Sequence, residues 1–136
     1  MNAAETKKLL SSTKEHEGYC EHVYVDTRGN RTIGYGLNLE AGLPEDEAAA
    51  ILAIRLKNCE IRLLDTYRWF YELPDARKRS LIEMAFQLGS ISGFPKMVRA
   101  LRAGKWERAA DEMLDSRWAR QTPVRSEHCA RLMREG

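Results

Sequence analysis

The chain has 136 residues, a length that suits one domain with its own core and no metal or disulfide support. It is 43% hydrophobic and 31% charged, which excludes a disordered chain, and no apolar run reaches the roughly 20 residues that cross a bilayer. Three scattered cysteines (Cys20, Cys59, Cys129) and three histidines (His16, His22, His128) show neither a disulfide framework nor ligand spacing, so no metal and no cofactor are expected.

The net charge of +2 is uneven. Residues 1–95 carry 12 basic and 14 acidic side chains, and residues 96–136 carry 10 and 6. The basic end favours an anionic partner or is simply a solvated helical face. Nucleic acid is not expected, because no binding motif is present and Glu107, Asp111, Glu112 and Asp115 interrupt that face. The first residues have no apolar stretch of signal-peptide type, so synthesis and first residence in a cytoplasm are the expectation.

In chain order, helical spacing runs from about Ala4 to His16, and Gly18 is suited to end it. Glu17 therefore falls at or just past a helix C-terminus, where the helix dipole disfavours negative charge. Val23, Tyr24, Val25, Thr32, Ile33 and Tyr35 are β-formers around the turn residues Asp26, Gly29 and Asn30. They predict a hairpin, with a third short strand near Leu37 to Leu39. Gly34 and Gly36, inside the strand pattern, mark a bulge or a close approach to the backbone.

Pro44, followed by Glu45, Asp46 and Glu47, reads as a helix start. The apolar rhythm of Ile51, Ile54, Ile61, Leu64 and Tyr67 predicts one helix over 44–71. Further helices are predicted over 75–88, closed by Gly89, over 94–103, closed by Gly104, and over 105–115. Thr122–Pro123 predicts the N-cap and first turn of a last helix ending near Arg134. The fold class is α+β, a single domain over 1–136. It has a sheet lobe at about 17–43, a connecting helix at 44–71, and a helical lobe at 72–136 with the first helix packed on it. A cleft is expected between the lobes. Trp69, Trp106 and Trp118 read as core residues before sugar platforms.

Glu17, Asp26 and Thr32 carry the chemistry. A glycosidic bond is cut between two carboxyl groups, one giving a proton and the other activating water or attacking directly. A helix end followed by a tight hairpin is one way to set two carboxyls opposite each other. Taken alone, Glu17 reads first as a surface carboxylate, Asp26 as a turn cap and Thr32 as an ordinary strand threonine.

Glu17–Gly18, Asp26 and Thr32-Ile33-Gly34-Tyr35-Gly36 together resemble the phage-type lysozymes, the T-even-like muramidase family of glycoside hydrolases. Ala85-Phe86-Gln87-Leu88-Gly89, Gly93-Phe94, Ser116-Arg117-Trp118, Gln121-Thr122-Pro123 and Arg125 extend the resemblance over nearly the whole chain. The chain departs from the family's pattern at Leu37, where histidine is usual, and at Val124, where asparagine is frequent.

The resemblance implies an endolysin that hydrolyses the β-1,4 bond between N-acetylmuramic acid and N-acetylglucosamine in peptidoglycan. Glu17 would be the general acid, Asp26 the second carboxylate, and Thr32 a partner of Asp26 in holding the attacking water, which implies inversion. It further implies that Arg125 pairs with Glu17. Phe86, Gln87, Arg117 and Gln121 would touch substrate, although Phe86 is equally a core residue and Arg117 equally a structural ion-pair partner. A monomer without stable membrane insertion is expected, released from the host cytoplasm through a holin-type lesion. Two other readings stand beside this one. One is a lytic transglycosylase using Glu17 alone. The other is a non-catalytic glycan-binding virion protein on the same scaffold.

Overall fold

The computed structural model describes the whole chain, Met1–Gly136. It is α+β, with seven α-helices and one three-stranded antiparallel sheet, and it divides into two units, Met1–Ala48 and Ala49–Gly136.

In the first unit, α1 (Ala3–Glu17) starts where the Asn2 Oδ1 accepts the Glu5 N–H at 2.9 Å. It closes where the Gly18 N–H donates to the Lys14 carbonyl at 3.0 Å. Glu17 is its last residue, as predicted. No residue of α1 is buried, and the helix lies in the same unit as the sheet.

The predicted hairpin forms from β1 (Cys20–Val25) and β2 (Arg31–Gly34), and the third strand, β3 (Leu37–Asn38), follows at once. Tyr24 stands opposite Thr32, Val25 opposite Arg31, and Ile33 opposite Leu37. The β1–β2 register is irregular between Cys20 and Tyr24. A 3-10 turn, Leu39–Ala41, follows β3, and Arg31 Nε reaches Glu40 Oε1 at 2.7 Å to tie that turn back to β2.

Helix α2 (Glu45–Thr66) is shorter than the predicted 44–71. Tyr67 is extended (φ −128°, ψ 102°), and its ring packs 5.1 Å from that of Trp69. Arg68–Glu72 then wind a 3-10 turn that buries Phe70 completely. The apolar rhythm through Tyr67 is real. Burying an aromatic side chain, worth about 1.5–3 kcal/mol, outweighs one more turn of helix.

The remaining helices follow the predicted bounds closely: α3 (Asp75–Leu88), α4 (Pro95–Arg102) and α5 (Trp106–Leu114). Helix α6 (Arg117–Gln121) has no counterpart in the prediction, because five residues carry too little periodicity to read. It is started by Ser116, whose Oγ accepts the Ala119 N–H at 3.1 Å. Thr122 stands at the N-cap position of α7 (Pro123–Glu135) but does not cap it. Its hydroxyl donates instead to the Trp118 carbonyl at 2.8 Å and so closes α6.

The core belongs to the second unit. Leu81 and Met84 of α3, Met97 of α4, Met113 of α5 and Met133 of α7 meet there with no exposure. Trp118 lies in this core, and Trp69 and Trp106 pack half-buried against it, as core residues should. Arg77 joins three helices: its Nε donates to the Met133 carbonyl at 2.8 Å, and its guanidinium lies 4.4 Å over the Trp106 ring. No helix is long and apolar enough to cross a membrane.

Candidate active site

Glu17, Asp26 and Thr32 all lie in the first unit. The end of α1 puts Glu17 on a stretch of backbone with no side chain. Gly36, in the turn from β2 to β3, has φ +74°, and a Cβ built there would stand 2.6 Å from Glu17 Oε2. The close approach expected at the paired glycines therefore occurs at Gly36, and what approaches is the carboxyl group of Glu17. At Gly34 (φ +66°) nothing comes within 4 Å of such a Cβ.

Asp26 begins the hairpin turn. Its Oδ1 accepts the N–H of Arg28 and the N–H of Asn30, each at 2.9 Å. The Asn30 N–H above all, with the Arg28 N–H adding to it, holds the carboxyl below the ordinary aspartate value, against the opposing effect of desolvation. Asp26 is thus ionised and fixed by one of its two oxygens.

Thr32 is buried in β2, and its hydroxyl donates to the Asn30 carbonyl at 3.0 Å. Asn30 also takes the Asp26 N–H on the same carbonyl at 2.9 Å. One residue therefore orients both the carboxylate and the threonine, and the sequence reading did not give Asn30 that part. Its only signal was an asparagine in a turn. With the Thr32 proton committed to Asn30, the Thr32 oxygen is left to act only as an acceptor.

An aromatic pair stands beside Glu17 and Gly36. The rings of Tyr19 and Tyr35 are 5.4 Å apart, and the Lys14 ammonium lies 5.5 Å from the Tyr35 ring centre. Both tyrosines are exposed.

The other sequence-predicted residues lie in the second unit. Gln87, in the last turn of α3, accepts the Trp118 indole N–H on Oε1 at 2.8 Å, which fixes its amide. Gln87 and Arg125 line one cavity of about 500 Å³, with Glu83, Val124 and His128. Arg117 and Gln121, at the two ends of α6, line another of about 510 Å³, with Phe94, Trp118, Glu112 and Asp115. Phe86 is half-buried, lines neither cavity and stands outside the core cluster. The two departures, Leu37 and Val124, are both exposed, Val124 at 82%.

The sequence model of the family described as Phage lysozyme matches residues 14–133 of this chain. The chain is 29% identical to "Probable T4-type lysozyme 2" of Dictyostelium discoideum, over 94% of this chain and 94% of that protein. It is 28% identical to "Probable T4-type lysozyme 1" of the same organism, over 90% and 91%.

Proposed function

The chain belongs to the phage lysozyme family of glycoside hydrolases, and on that premise we propose that it is an N-acetylmuramidase acting on peptidoglycan by inversion. Glu17 gives its proton to the leaving glycosidic oxygen. Asp26 and Thr32 hold the attacking water on the opposite face of the sugar, Asp26 through its unanchored oxygen and Thr32 through its acceptor lone pairs. The observation that carries this reading is the shared anchor at Asn30, which gives the carboxylate and the hydroxyl one common orientation. Inversion requires a carboxyl separation of about 6.5–9.5 Å, against about 5–5.5 Å for a covalent route.

In this reading the chain is one lysozyme-like domain that binds the glycan. Phe86, Gln87, Arg117 and Gln121 bind sugar, and Arg125 has a supporting part. The role is bacterial lysis by a monomeric endolysin, which leaves the host cytoplasm through a holin-type lesion.

Purified protein and its Glu17→Gln variant, assayed on cell-wall sacculi with mass spectrometry and anomeric NMR of the products, test this reading. The expected result is reducing-end muropeptides of inverted configuration from the wild type and none from the variant. Anhydro ends that persist in Asp26→Asn would establish a transglycosylase instead. No product from the wild type at any pH would establish a non-catalytic glycan binder.

A further inference from the structure

The corner where α4 meets α5 holds a cavity of about 230 Å³ lined by Lys96, Arg99, Ala100, Ala103, Lys105 and Arg108. Four of the six lining residues are cations, and none is an acid. The cavities that contain Gln121, Arg125 and Ile82 each include at least one carboxylate. We propose that this corner, which adjoins the cavity holding Arg117 and Gln121 through Lys96, is a second binding site for a phosphate ester group on an anionic lipid surface.

The helical spacing explains why the charges converge. Lys96, Arg99 and Ala100 of α4, with its C-cap Ala103, recur at the three- and four-residue steps that share one helix face. Lys105 and Arg108 are three apart at the start of α5. The two alanines are short, so the four long side chains of the lining stand around an open space. The start of α5 has no side-chain cap, so its first N–H groups and the positive end of its dipole add to the same field.

The acidic residues of α5 do not cancel that field. Glu107 and Asp111 turn to Arg134 on α7, at 2.9 and 2.7 Å. Glu112 pairs with Arg108 at 3.2 Å and draws on one cation of the four. Lys96, Arg99 and Lys105 are exposed and have no carboxylate partner within 4 Å. The acids that interrupt the basic face in the sequence thus leave the cavity lined by no carboxylate, with three of its four cations unpaired. A small concave pocket of this charge fits a single phosphate group, whereas a duplex backbone needs an extended stripe.

The test uses the full chain and the double variant Arg99→Ala/Lys105→Ala, whose positions line neither of the cavities assigned to the glycan. Inorganic phosphate is titrated by amide NMR, and retention is measured on phosphatidylglycerol vesicles, phosphatidylcholine vesicles and duplex DNA. The expected result is shifts clustered at residues 96–108 and retention on phosphatidylglycerol alone. In the double variant that retention falls about 25-fold, at about fivefold per cation removed, while circular dichroism is unchanged. Arg99→Lys, which keeps the charge, should restore most of the binding in the Lys105 background.

Phosphate shifts at 96–108 without vesicle retention would keep the site and assign it to a soluble or wall-borne phosphate ester. Unchanged vesicle retention in the double variant, or shifts elsewhere, would overturn the proposal. Cation-dependent retention on DNA with no response to phosphate would overturn it in favour of a nucleic-acid surface. None of these readouts depends on hydrolytic activity, so the site and the muramidase reading fail separately.

Discussion

The Glu17 carboxyl group rests over Gly36, where any side chain would put a Cβ 2.6 Å from its Oε2. The end of the first helix and the turn after the second strand thereby come close together. A residue with a Cβ at position 36 would have to displace the proposed proton donor.

Gly36→Ala and Gly34→Ala form a matched pair, since both positions have positive φ and only Gly36 faces Glu17. Each should cost about 1–2 kcal/mol of backbone strain, read from urea denaturation midpoints. Only Gly36→Ala should also lower sacculus hydrolysis, by about 100-fold or more, because the acid is moved. Equal activity in the two variants would show that the contact has no catalytic consequence.

Asp26→Asn keeps an oxygen to accept the Arg28 and Asn30 N–H groups but removes the charge. Hydrolysis should fall about 10²- to 10⁴-fold. The sign of the pH effect follows from the lowered Asp26 value in the folded chain. Its stabilisation is fully present above the unfolded value of about 3.9 and is lost as pH falls through the folded one. Denaturation midpoints from pH 5 down to pH 2 should therefore drop more steeply for wild type than for Asp26→Asn, and parallel curves would contradict this.

Trp118→Phe removes the indole N–H that fixes the Gln87 amide at 2.8 Å while keeping an aromatic ring in the core. Stability should fall by about 0.5–1.5 kcal/mol for the lost hydrogen bond. If Gln87 contacts the glycan, KM rises with little change in kcat. A change in thermal midpoint with an unaltered KM would confine Gln87 to a structural part.

Cys129 is fully buried, and burial first, with the charge of Glu83 adding to it, pushes its thiol up to about 12. Cys59 is buried as well, and Cys20 is only half-buried. A thiol reagent at pH 8 should titrate one cysteine quickly in the native protein and all three in denaturant. Fast labelling of Cys129 in the native state would refute the packing around α7.

Much of the local structure at the candidate site was legible as sequence because its elements are short-range. Glu17, Asp26 and Thr32 fall within sixteen consecutive residues, and a helix stop, a turn and a strand follow one another with residues that favour each state. The helix starts at Glu45, Asp75 and Pro95 were readable for the same reason: proline, an acidic first turn and apolar spacing are short-range signals.

The end of α2, the short α6 and the hydroxyl of Thr122 were not legible, because each is settled by a contact outside its own window. Burial of Phe70 in the core ends α2, Ser116 starts a helix too short to show a period, and the Trp118 carbonyl claims the Thr122 hydroxyl. The sequence by itself determined the helix-and-hairpin order and the family, because these rest on neighbouring residues. Only the tertiary structure decided that Glu17 sits on Gly36, that Asn30 orients both Asp26 and Thr32, and that four cations close on one pocket between α4 and α5. Hydrogen-bond direction and charge convergence are properties of distance in space, and spacing along the chain fixes that distance only within a single element.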